Sequence, residues 1–180
     1  YNHTKWGIEP TDLLYRFASY TTSFDSNDNG EIWGIPEWVA FEIKKKTFPD
    51  IPVYNRPKWM TVDTLYQQNK APNDDTYAVS GTKQLREVSG TSRFVRGHMC
   101  PKNTADRITM SAGFNTHTVL NAVPQLQWQN NGIWKALESE STEWADEYDQ
   151  IWIICGPVFF NKTPALWLGQ KDEVRAAVPD

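Results

Sequence analysis

Apolar positions crowd at strand-like spacing along most of the chain and take helical spacing in one stretch. Leu14, Phe17, Tyr20 and Phe24 recur closely in a segment rich in Thr, Ser and Tyr, which predicts a strand over 15–24. The polar cluster 25–30 turns the chain. Trp38-Val39-Ala40-Phe41-Glu42-Ile43 then predicts a second strand, so the pair reads as a hairpin or meander step. Residues 61–66 suggest a short strand or turn, 67–76 a surface loop, and 77–90 weak structure. A strand is expected over 94–99, a loop or short helix over 102–112, and a further strand over 114–120 that Pro124 ends. The helical stretch is 130–148. Asn130 or Asn131 can cap it, Ile133, Trp134 and Leu137 form an inward stripe, and Trp144 continues that stripe. The continuous apolar run Ile151-Trp152-Ile153-Ile154-Cys155 predicts a buried strand closed by Gly156-Pro157 and continued by 158–160. Ala176-Ala177-Val178 predicts a last strand.

Composition narrows this picture. A chain of 180 residues with 39% apolar positions suits one domain around one core, and no internal repeat or low-complexity linker divides it. The net charge of -4 argues against a basic nucleic-acid coat protein. A focused basic cleft is compatible with it. No apolar run reaches the roughly 18 residues needed to cross a membrane. Cys100 and Cys155 are too few for a disulfide framework; two buried thiols is the plainer reading, and pairing stays open. The chain starts at Tyr1 without a Met and stops after a strand-like 174–180, so a natural C-terminal continuation is expected. Asp25, Asn27, Asn29 and Gly30 match the first positions of a calcium loop. Pro36 stands where the bidentate glutamate is required, which leaves a solvated turn.

The chemistry concentrates in the middle of the chain. Ser92-Arg93-Phe94-Val95-Arg96-Gly97-His98 offers a histidine beside arginines. Asn121 and Asn130-Asn131 add amides, and Glu138 adds a carboxylate. Cutting a phosphodiester needs an activated water, a group to neutralise the phosphorane and help for the leaving oxygen. Neutral imidazole takes a proton near pH 7. Magnesium needs only one or two protein oxygens, and guanidinium forks hold phosphate. Gly97 is read as letting backbone or substrate approach the histidine. Each residue also has a plain structural reading: a strand histidine, a capping asparagine, a solvated helix acid.

Taken together, Arg96-Gly97-His98-Met99, Asn121-Ala122-Val123-Pro124-Gln125, Asn130-Asn131-Gly132-Ile133-Trp134 and Leu137-Glu138 resemble the DNA/RNA non-specific endonuclease family. The resemblance implies an α+β fold of the ββα-metal (His-Me finger) type, a central antiparallel sheet with flanking helices, and a single nuclease domain over 1–180. It implies a Mg2+-dependent (or Mn2+-dependent) endonuclease acting on DNA and/or RNA, with the preference between them left open. His98 would be the general base and Asn130 the direct metal ligand. Glu138, about 12 Å along the helix, would reach the ion through water. Asn121 would brace the loop between strand and helix, and Arg96 and Arg56 would hold phosphate. Arg93, Lys102 and Arg107 add positive charge for the substrate. Val95 stands where the family carries an acidic residue, and His117 is expected to face away from the site or to pack in the sheet. Contacts should be mainly to phosphates, no membrane is implied, and export or a periplasmic location follows from the danger of such an activity to its own cell. Two other readings are a homologue that binds nucleic acid without cutting it, and a glycan-binding module using some of the nine tryptophans.

Overall fold

The computed structural model describes residues 1–7, 13–25, 31–77 and 94–180. Arg93, most of the 25–30 turn and nearly all of the weakly structured 77–90 segment lie outside them. Strands β1 (Leu13–Arg16), β2 (Thr21–Phe24), β3 (Pro36–Lys44) and β6 (Gln150–Cys155) form one antiparallel sheet in the order β1-β2-β3-β6. The 15–24 segment is thus a hairpin and not one strand: Phe17 N–H donates to the Tyr20 carbonyl at 2.8 Å and turns the chain between β1 and β2. Strand β3 is central, with Thr21 opposite Ala40 on one side and Val39 opposite Cys155 on the other. That explains its nearly unbroken apolar run, since both faces are covered over most of its length. Strand β6 is an edge, so its apolar run does not make it buried, and Ile154 is 60% exposed.

The second sheet pairs β4 (Phe94–His98) with β5 (Ala122–Leu126), and Arg96 sits opposite Pro124. The strand expected at 114–120 lies later in the chain. Pro124 is inside it, which an edge of a two-stranded ladder tolerates because the missing N–H needs no partner there. The 114–120 stretch instead ends helix α3 (Met110–Phe114) and makes a short 3-10 turn at Val119–Asn121. Helix α1 (Asp63–Gln67) replaces the strand or turn expected at 61–66. Helix α2 (Lys102–Asp106) and α3 fill 102–114; Thr109 caps α3 by accepting from the Ala112 N–H at 3.0 Å. Strands β7 (Leu166–Leu168) and β8 (Ala176–Val178) form the third sheet, and 158–160 does not continue β6.

The predicted long helix is real, with a different start and a different face. A single turn at Gln127–Gln129 leads into a wide turn, Asn130–Trp134, broken at Gly132 (φ −100°, ψ −105°), and α4 runs over Lys135–Glu147. Asn130 has helical backbone angles and does not cap the start of α4, whose N-cap position is Trp134. Leu137, Ser141 and Ala145 share one side at a spacing of four. Only the small pair Ser141 and Ala145 reaches the sheet and is buried, while Leu137 is 46% and Ile133 73% exposed. Small residues let the helix axis approach β3 and β6 closely, and the large ones stay exposed. One buried cluster joins all three sheets and α4, through Val39, Phe41, Met99, Val123, Ala145 and Ala177. Both thiols are free, Cys100 buried and Cys155 half-buried.

Candidate active site

The second sheet and the helix after it form one strand–strand–helix unit. It is pinned where Trp134 Nε1–H donates to the His98 carbonyl at 3.1 Å. Above the pin lies a polar cavity of about 220 Å3, lined among others by Arg56, His98, Lys102, Asn130, Lys135 and Glu138. Of the residues singled out in the sequence, His98, Arg56, Lys102, Asn130 and Glu138 therefore meet in one place.

The others do not line it. Asn121 is fully buried, its Oδ1 accepting from the Cys100 N–H (2.8 Å) and its Nδ2 donating to the Cys100 and Thr116 carbonyls (2.9 and 3.0 Å). It braces the backbone after β4 and after α3, not the loop between strand and helix, and it does not line the cavity. Arg96 donates to the Asp74 carbonyl and lies 5.7 Å from the rings of both Trp59 and Tyr77. Its position corrects the expectation of a phosphate clamp. Arg107 is paired with Asp146 on α4, so it is a strut between elements and not free charge for substrate. Val95 is half-buried opposite Gln125 and also stands outside the lining.

The base candidate sits among aromatic rings. His98 Nε2 is buried with no hydrogen-bond partner among the described residues. Burial first, then His117, Arg56 and Lys102, hold its pKa well below the usual histidine value. His117, expected to face away or to pack in the sheet, is buried outside the lining and packs on the His98 ring with centroids 4.6 Å apart. Burial, with Arg56 and Lys102, also lowers its pKa, against a raising hydrogen bond at the Gly113 backbone and the charge of Asp106. Both imidazoles thus take up protons more readily in the unfolded chain. Their contribution to stability is intact above about pH 6.5 and is lost as pH falls through the lowered folded values. Melting temperature between pH 8 and 5 should therefore fall more steeply for the wild-type chain than for His117→Phe. Equal slopes would show that His117 does not resist protonation in the fold.

Sequence reading gave Gln125 no role. Its Oε1 accepts from Asn130 Nδ2 at 2.7 Å, which places the Asn130 carbonyl oxygen on the other side of the amide. Gly97 makes this possible: a Cβ there would overlap Gln125 Cδ and Oε1. Its purpose is room for Gln125, not room for substrate. The only signal in the sequence was the Gln ending the Asn-x-x-Pro-Gln segment. Gly97→Ala is expected to push Gln125 aside, free the Asn130 amide to rotate, and weaken magnesium binding about 10- to 100-fold by isothermal titration. Binding at the wild-type level would disprove the coupling.

The donor set suits a hard divalent cation. Oriented amide oxygen and a half-buried carboxylate face one polar cavity. Burial pushes the Glu138 carboxyl up to about 7, against a hydrogen bond from Trp134 and the charges of Arg56 and Lys135. The carboxylate is short of positive charge, and a cation would supply it. Among the described residues no group of three or more His, Cys, Asp and Glu side chains forms a cage for a softer metal. Magnesium needs no such cage.

A strand–strand–helix unit with an imidazole on the first strand and an amide oxygen on the helix side defines the ββα-metal nuclease fold. A crystal structure of the EndoG/EndoGI complex superposes on it with a TM-score of 0.73 at 18% identity, over 98% of this chain and 68% of that one. The family model described as DNA/RNA non-specific endonuclease matches residues 10–179, and the chain belongs to that family. Mitochondrial nuclease EXOG of Danio rerio is 33% identical over 183 residues, covering 97% of this chain and 47% of the relative. Mitochondrial endonuclease G of Bos taurus is 24% identical over 161 residues, covering 89% and 48%. EXOG of Mus musculus is 24% identical over 148 residues, covering 82% and 35%. The chain thus spans about half, or less, of these relatives.

Proposed function

We propose that the chain is a magnesium-dependent endonuclease of low sequence preference that hydrolyses phosphodiester bonds in DNA and RNA. The observation that carries the reading is that His98, whose Nε2 is unpartnered among the described residues, lines the same cavity as Asn130, Glu138, Arg56 and Lys102. His98, uncharged at neutral pH, takes the proton of the attacking water. Arg56 and Lys102 hold the phosphate oxygens; Lys102 is set by Asp106 Oδ2 at 2.6 Å and lies 3.8 Å from the Tyr54 ring. Asn130, turned by Gln125, and Glu138 would hold the ion, which supplies charge neutralisation at the phosphate and the leaving oxygen. Lys135, on the first turn of α4, adds positive charge to the rim. No helix of the described residues is long and apolar enough to cross a membrane. Export from the cell remains part of this proposal, because an unselective nuclease endangers its host's nucleic acid.

The test is nicking of supercoiled plasmid. Cleavage is expected with magnesium, to vanish in EDTA, to return with excess magnesium, and to weaken steeply with salt because phosphates carry the binding. A folded chain that binds DNA without cutting it in magnesium or manganese would sink the catalytic reading in favour of a binding-only homologue.

A further inference from the structure

Three rings far apart in sequence meet beside the cavity. Trp59 comes from the loop before α1, His98 from the end of β4, and His117 from the turn after α3. The His98 and His117 centroids are 4.6 Å apart with planes at 74°. The Trp59 ring is 4.6 Å from His98 and 5.2 Å from His117. His117 is 2% exposed and is fixed from several sides. Its Nδ1 lies 3.2 Å from Thr116 Oγ1, and its carbonyl accepts from the Met60 N–H at 2.8 Å. Met60 also bridges to Thr118, so the segments carrying Trp59 and His117 are tied to each other. Neither Trp59 nor His117 lines the cavity. Within the strand–strand–helix unit both rings pack on His98, and Trp59 also lies 5.7 Å from the Arg96 guanidinium.

We propose that His117 is a positioning residue for His98: with Trp59 it forms the wall that keeps the His98 imidazole turned to the cavity and free of charge. This rests on His98 being the base. A histidine at a strand end has several rotamers open to it, and two packed rings close off those that turn away from the cavity. A second imidazole also does what an inert ring cannot, because a proton on either ring disfavours one on the other. The charges of Arg56 and Lys102 act on both imidazoles in the same direction, and at His117 a hydrogen bond at the Gly113 backbone and the charge of Asp106 oppose them. The base thus keeps its lone pair at and somewhat below neutral pH.

The experiment compares plasmid nicking in magnesium, from pH 5 to 8.5, by wild type, His98→Ala, His117→Ala and His117→Phe. Proton NMR of the metal-free proteins follows the His98 ring. His117→Ala is expected to lose about 10- to 100-fold in kcat with KM for DNA unchanged. His117→Phe restores a ring, recovers most of kcat at pH 8, and moves the acid limb and the His98 titration midpoint upward by roughly half a unit or more. Wild-type kcat and pH profile in both His117 variants, with His98→Ala inactive, would overturn this inference and leave the base assignment standing. Full activity of His98→Ala would overturn both. Should His117→Ala not fold by circular dichroism, His117→Phe decides alone: an unmoved acid limb and an unmoved midpoint refute the proposal.

Discussion

His98→Ala is expected to nick plasmid roughly a thousandfold more slowly than the wild-type chain, within the range a lost general base costs, while remaining folded. Among the described residues lining the cavity, the other side chains are cationic, amide, hydroxyl or, at Pro101, apolar, apart from Glu138. Arginine and lysine carry their protons at neutral pH, and amides and hydroxyls are poor bases. Glu138 is the one competitor, and burial holds it near neutral charge balance with a pKa of about 7. A nuclease using Glu138 as its base would keep most of its rate without His98. The single-turnover rate, with the fold checked by circular dichroism, distinguishes the two. Little change in rate would move the base to Glu138 and leave the cation with one side chain fewer.

Asn121→Ala should act on the fold and not on the chemistry. The side chain is fully buried and makes three backbone hydrogen bonds, at 2.8, 2.9 and 3.0 Å. Removing it strands the Cys100 N–H and the Cys100 and Thr116 carbonyls away from water. Each stranded group costs about 1–3 kcal/mol, so a loss of about 3 kcal/mol or more is expected. That is a large part of the roughly 5–15 kcal/mol that holds a typical domain together. Urea denaturation should show an earlier midpoint, with activity lost in step with structure. An inactive variant of wild-type stability would instead return Asn121 to the reacting site.

Much of the site was legible because it is local. Fourteen positions, 125–138, hold Gln125, Asn130 and Glu138 on one strand-to-helix connection, and β4 pairs directly with β5. A motif can therefore record their relation as spacing. The helix face was misread for a local reason of another kind. Gly132 interrupts the helical phase, so Ile133 could not be projected forward onto Leu137 and Ser141. Pro124 was misread because its meaning depends on the neighbouring strand. On a two-stranded ladder it sits harmlessly opposite Arg96, whereas in an unpaired sequence it reads as a stop.

The sequence by itself determined the family, the strand-strand-helix order without the place of its second strand, and the residues His98, Asn130 and Glu138 as candidates, since these depend on short-range spacing and residue chemistry. Only the tertiary structure decided which cations face the cavity. Arg56 reaches it from a distant loop, while Arg96 and Arg107 are taken up by Asp74 and Asp146. It alone showed Gln125 crossing Gly97 to turn the Asn130 amide. It alone brought Trp59 and His117 onto His98. Contacts between segments tens of residues apart are set by how the sheets and α4 share one buried cluster, and no local pattern of apolar and polar positions encodes that packing.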